Sequence, residues 1–394
     1  KLMADNPTIG TRTTFTAFTE TNTKKLYKAT EQIGTNPVKD VYYFAGDAKN
    51  NWVKFGKTKE SSCTYKGKEL FIYNDDTGFK NVETQTECET YSLCNSEALG
   101  PMLVENSSMC GNETGTILTE KATWNGTSTK DIYWRITRTN ADGSIKLLYA
   151  GTSPDTTSGY IGMSAFNTTY NDPIYVGYKY GTTGSLENNR LNTNNSTIKT
   201  YVDNWYKNNL TAYTKYLSND AVYCNDRNLA SGQTYSTTKS FDYASVERLG
   251  RYTIAPTYNC TNKSDAFSVN NASAKLDYPV GLMSIDELSY AGGEGGITLD
   301  APYAWYYTNA NGKSITGSEP FRSFSPSLWG GYRSDVLGVV GSGEPGYLLN
   351  YGVADSLVVR PSISLLSCNL ISRGDGSPEN PYVVYTGSGV CDPR

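Results

Sequence analysis

The chain has 394 residues, a net charge of −4 and no histidine; hydrophobic residues make up 38 % and charged residues 19 %. The charge balance, without any basic run, argues against nucleic acid and against an anionic membrane surface as partners. The missing histidine removes Ser-His-Asp and Cys-His catalysis and His-ligated metals, and no apolar run reaches the length of a membrane-spanning helix.

Taken in chain order, residues 1–40 are Thr-rich and weakly patterned, and are expected to be an extended segment following a removed anchor or helix. Val41–Phe44 and Asn51–Phe55 alternate like strands on either side of a turn and predict a hairpin. Residues 57–130 are polar, hold Cys63, Cys88, Cys94 and Cys110, and read as a cysteine-rich insertion held by its own disulfides; the spacing does not choose among the three possible pairings. Ile132–Arg138, Asp142-Gly143 and Ile145–Tyr149 predict a second hairpin. Ile174–Tyr178 reads as a strand. Ser196 caps a helix whose Ile198, Tyr201, Val202 and Trp205 share one face, ending near Asn208-Asn209.

Cys224 and Cys260 flank a polar excursion and are expected to pair. Residues 278–292 predict a short strand, then a short helix with Ser284 and Glu287 at capping-box spacing and Gly292 at its end. Val358–Leu366 reads as a closing strand. Residues 371–394 form a terminal hairpin around a Gly-Asp-Gly-Ser-Pro turn, with Cys368 and Cys391 placed to close it. With eight cysteines, no Cys-x-x-Cys and no histidine, disulfides in an oxidising compartment are the expected use of sulfur, and an extracellular, cell-surface location follows. Frequent Asn-x-Ser/Thr sequons, such as Asn106, Asn125 and Asn259, mark surface loops in so Asn- and Thr-rich a chain.

No setting for a catalytic nucleophile stands out, and the chain is expected not to be an enzyme. Gly341-Ser342-Gly343 lacks the nucleophile-elbow frame, and Glu287 beside Asp286 is better explained as a helix cap than as half of a carboxylate pair. Asn74–Gly78 and Asp375-Gly376 are oxygen-rich but lack a spaced ligand ladder; structural calcium is unsupported by any motif, and no cofactor is expected. The densest mixture of Trp, Tyr and Arg with Gly and Ser lies in 319–359, the composition of recognition surfaces. A buried irregular β core is equally compatible with Phe321, Phe324 and Trp329, whereas Tyr332, Arg333, Asp335, Tyr351 and Asp355 are harder to bury.

Several motifs carry a family resemblance: Asn51–Phe55, Trp134-Arg135-Ile136 with Asp142–Leu147, Ser196–Lys199 leading to Asp203–Tyr206, Leu282–Glu287, and Val359–Leu365. Their order resembles exported, pilin-like surface proteins of gut-dwelling Gram-positive bacteria, over most of 40–390 apart from 57–130. The last part looks like the C-terminal half of a C-type-lectin-like fold, of the branch shared with formylglycine-generating enzymes and the variable proteins of diversity-generating retroelements. The resemblance implies a β-rich α+β fold with few helices and long loops, a C-type-lectin-like domain over 41–370, and a ligand-binding face in the stretch that ends at Val-Arg-Pro. Carried onto this chain, that face is Phe321, Arg322, Leu328, Trp329, Tyr332, Arg333, Asp335, Leu337, Tyr351, Val353 and Asp355. The reactive cysteines of the formylglycine-generating enzymes have no counterpart in 319–359. The Glu-Pro-Asn and Trp-Asn-Asp motifs of calcium-dependent lectins are also missing. The expected role is adhesion to a protein or glycan ligand; a filament subunit packing against copies of itself, and more remotely a cell-wall or glycan hydrolase, are the alternatives.

Overall fold

The computed structural model describes residues 1–15, 21–22, 24–74, 78–97, 100–112, 114–249, 255–295, 304–342, 346–388 and 391. It is β-rich with few helices, an α+β architecture. Asp75–Thr77 and Gly343–Pro345, which carry parts of the calcium and nucleophile readings, lie outside the described residues.

The spine of the body is a mixed sheet whose central path runs Thr8–Gly10, Lys25–Glu31, Lys39–Tyr43, Thr123–Thr139, Ile145–Tyr149, Ser362–Leu365 and Val280–Gly281. The N-terminal segment is therefore built into the sheet rather than trailing from it: Tyr27 to Glu31 pair with Tyr43 to Lys39. The predicted hairpin of 41–55 does not form. Trp52–Tyr65 instead pairs antiparallel with Thr123–Thr139, from Arg135 opposite Trp52 out to Thr123 opposite Thr64. Burial decides this, because the register brings Trp52, Val53, Phe55, Ile132 and Trp134 into the core together. The second predicted hairpin does form, with Trp134–Thr139 on Ile145–Tyr149 and Gly143 in the turn at φ 83°.

The outer ends of the 52–65 and 123–139 strands form a ribbon leading to a small lobe. Its five-stranded sheet orders Gly115–Ile117, Ser92–Ser96, Gly100–Val104, Phe71–Asn74 and Gly78–Asn81. Leu70, Ile72, Val82, Leu93 and Leu103 make a separate small core around Cys63 and Cys88. The pairings that the spacing left open are Cys63–Cys88 and Cys94–Cys110. Cys224–Cys260 and Cys368–Cys391 bond as expected.

The helix Thr197–Asn209 is capped by Ser196, whose side chain accepts from the Lys199 N–H, and buries Ile198, Val202 and Tyr206. The helix Ile285–Ala291 carries the predicted capping box of Ser284 and Glu287 and stops at Gly292, whose φ of 119° a side chain would resist. Residues 174–178 are not a strand: Pro173–Val176 is a 3-10 turn, begun by Asp172, whose carboxylate accepts from the Ile174 N–H, with Pro at the first position.

The closing strand splits. Leu357–Val358 joins a second sheet, and after Pro361 Ser362–Leu365 joins the spine. At the corner, buried Arg360 donates to the carbonyls of Tyr149 (3.0 Å), on the spine, and of Tyr306, in the loop beside it. The second sheet orders Met163–Ser164, Leu357–Val358, Phe321–Trp329, Ser334–Val339 and Leu348–Gly352, with Phe241–Asp242 beside the end of Phe321–Trp329. The C-terminal strands Ile371–Arg373 and Tyr382–Val384 pair with each other, and the latter runs parallel to Val53-Lys54.

Candidate functional site

The second sheet sorts the sequence-predicted face into two groups. Phe321–Trp329 is buried at every position but Leu328, with the helices Ala244–Leu249 and Ile285–Ala291 and the turn Pro173–Val176 packed against it. Phe321, Arg322, Trp329, Leu337 and Val353 are buried, with Trp329 only 1 % exposed. These side chains line no surface and are corrected to core. Two-sided burial explains why the stretch shows no alternation of polar and apolar residues.

The rest gathers at one rim. Phe321–Trp329 turns back into Ser334–Val339 through Gly330–Arg333, closed by Gly330 N–H donating to the Arg333 carbonyl at 2.8 Å. Gly331 takes φ 84°, which the tight return requires. Tyr332 projects from this turn and is 73 % exposed, the most open of the large hydrophobic side chains among the described residues. Arg333 is exposed beside it, and its guanidinium pairs with Asp335 at 2.9 Å. Asn350 donates to the same carboxylate at 3.0 Å. Asp335 is thus itself buried, and its role is to orient Arg333 and Asn350; its hydrogen bond and charge hold the Arg333 guanidinium above its ordinary pKa. Leu328 is half-buried behind the turn.

Tyr351 lies on the outermost strand, Leu348–Gly352, and is half-buried; Asp355, exposed, follows just beyond its end. Between them Arg322 reaches outward from the core. One of its terminal nitrogens donates to the carbonyls of Gly352 (2.8 Å) and Asp355, and its other two nitrogens have no partner. Burial lowers its pKa to about 10, against the pull of Asp355 and Tyr351.

One exposed aromatic side chain belongs here that the sequence reading missed. Tyr170 is 48 % exposed, and its carbonyl accepts from the Ser334 N–H at 2.9 Å, placing it beside the turn. Leu349, 45 % exposed, lies on the outermost strand opposite Gly338, on the face away from Asn350 and outside this rim. The Gly330-Gly331 pair between two apolar runs was a legible hairpin signal. Tyr170 carried no local signal, since only the tertiary fold brings it to the rim.

Asp286 and Glu287 face different partners. Glu287 is buried against Lys146 (2.6 Å) and Arg138 (2.9 Å), while Asp286 pairs with Arg248. Arg138 also holds Glu31. Each carboxylate is committed to the fold, which is a structural arrangement. The Asp375 carboxylate accepts from the Ser377 N–H, an Asx turn. No group of three or more Cys, Asp or Glu side chains among the described residues is placed to hold a metal. No helix among them is long and apolar enough to cross a membrane. No family model matches the chain, and no curated protein or solved structure matches it either.

Proposed function

We propose that this chain is a cell-surface ligand-binding protein, an adhesin on a C-type-lectin-like scaffold, whose contact face is the rim around Tyr332. The observation that carries this reading is the turn itself. A tyrosine and an arginine, side chains that dominate binding hot spots, stand out on a two-residue glycine hinge between strands whose other faces are buried. The strands on either side fix the backbone of the turn, which lowers the ordering cost of binding for the main chain. The buried Asp335 fixes the Arg333 fork, and Leu328, paired with Asp335, and Tyr170, bonded to Ser334, supply apolar contact around it. The four disulfides mark an exported protein and support a site that works outside the reducing cytoplasm.

The test is adhesion of the purified chain to epithelial cells and to mucin-coated surfaces, followed by electron microscopy of the same material. Saturable binding by dispersed particles is expected. Regular filaments that form through the Tyr332 rim and leave no binding would instead make the chain a structural subunit.

A further inference from the structure

The helix Thr197–Asn209 buries a lysine between two carboxyl groups. The Lys199 side chain is 0 % exposed, and its Nζ donates to Asp203, one turn further along the same helix, and to Asp277 Oδ2 at 2.6 Å. Asp277 arrives from the segment before Val280–Gly281, where Tyr278 stacks on Tyr206 of the helix with ring centroids 5.1 Å apart.

Elsewhere in the body buried carboxylates are better provided for. Glu287 accepts from Lys146, Arg138 and the Ser284 N–H. Asp265 accepts from Arg190, from the Arg227 side chain and from the Arg227 N–H, and Asp286 from Arg248 and the Thr257 N–H. Asp203 differs: among the described residues it accepts from Lys199 alone, and its Oδ1 is buried without a partner. A carboxylate so poorly solvated out of water is costly, and becoming neutral relieves it. Burial pushes the Asp203 carboxyl above its ordinary pKa, against the pull of Lys199, whereas the hydrogen bond from Lys199 holds Asp277 below the usual value. Two carboxyl groups pushed apart in this way divide the roles of acid and base.

We infer that Lys199 Nζ and Asp203 Cγ join as an amide, a covalent staple across one turn of the helix, with Asp277 as the base that relays the proton. Residues four apart share a helix face, so the two side chains meet without bending the backbone. Proton transfer within the dry ammonium–carboxylate contact gives amine and acid. The Nζ lone pair attacks Cγ, and the bond from Cγ to the acid's hydroxyl oxygen breaks. A proton from nitrogen passes through the Asp277 carboxylate to that oxygen, which leaves as water. The step needs no oxidant or other reactant. Asp277, whose side chain is 57 % exposed, opens the site to solvent and gives the water a way out. The product has a neutral carbonyl where the half-solvated carboxylate stood. The inference is independent of the Tyr332 rim.

Intact-mass measurement of the full chain, followed by tryptic mapping after reduction, tests it. The wild-type chain is expected to be lighter than its disulfide-bonded sequence by one water. The Lys199–Thr200 bond should resist trypsin, so that Leu191–Lys207 appears as one peptide lacking that water. Lys199→Arg should restore both the full mass and cleavage after position 199. Asp277→Asn keeps the shape of the side chain but not its base, and should slow closure about a hundredfold or more, leaving freshly made protein at full mass. The wild-type measurement needs no variant to fold. The inference is overturned if the wild-type chain carries its full mass, if water is lost while Lys199 stays cleavable, if the link maps to Asp277, or if Asp277→Asn closes as fast as wild type.

Discussion

The small lobe and the body of this molecule are held by different forces. The lobe packs a handful of apolar side chains around Cys63–Cys88, with Cys94–Cys110 in a second small cluster beside Met102 and Val104. Its hydrophobic area is too small to fix a sheet without covalent help. The body buries Trp52, Trp134, Trp305 and Trp329 and also a chain of charges, Glu31–Arg138–Glu287–Lys146, inside the fold. There the disulfides lie at the margins, tying a loop and the C-terminal hairpin. The difference teaches where each part is vulnerable: the lobe to reductant, the body to the loss of one buried partner.

The largest effect is expected from Glu287→Ala, which strands Arg138 and Lys146 without a shared counter-ion and removes the helix cap. Breaking a buried pair in this way costs about 3–5 kcal/mol, read as a lower denaturant midpoint of the body. The same carboxylate sets an acid limit. Burial alone would raise its pKa, but Lys146 and Arg138 together hold it below the ordinary 4.5. Its contribution is therefore complete above about pH 4.5 and is lost as pH falls through the depressed folded value. Wild type should lose stability steeply in acid, and Glu287→Gln should flatten that limb of the pH–stability curve.

Next in size is Cys63→Ser with Cys88→Ser. Opening the crosslink, which spans 25 residues of sequence, should cost about 3 kcal/mol and confine the damage to the lobe. Hydrogen exchange should speed in Phe71–Ile117 while Ile145–Tyr149 stays protected; equal loss in both would show that lobe and body unfold as one unit. The smallest effect is Tyr332→Ala, which should change stability by less than about 0.5 kcal/mol, since the ring packs against little of the core.

Local signals were legible wherever local chemistry sets the structure. The Ser196 and Ser284 caps and the Asp142-Gly143 hairpin follow from neighbouring residues, and the Cys224–Cys260 closure from two cysteines that flank one polar excursion. Partner choice between strands was not legible. Asn51–Phe55 is a strand as expected, but its mate lies beyond the whole lobe, at Tyr133 to Arg135. The stretch 321–355 shows the same divide. Its aromatics read alike in sequence, yet Phe321 and Trp329 are buried by layers that no local pattern reveals, while the double glycine throws Tyr332 outward.

The central claim is that the turn carrying Tyr332 and Arg333 is a contact surface rather than scaffold. Its most direct test is the affinity of the full chain for a mucin-coated surface, measured side by side for wild type and Tyr332→Ala with Arg333→Ala. The account predicts an affinity at least about tenfold weaker for the double variant, at an unchanged melting temperature. Equal affinity of the two proteins would contradict it.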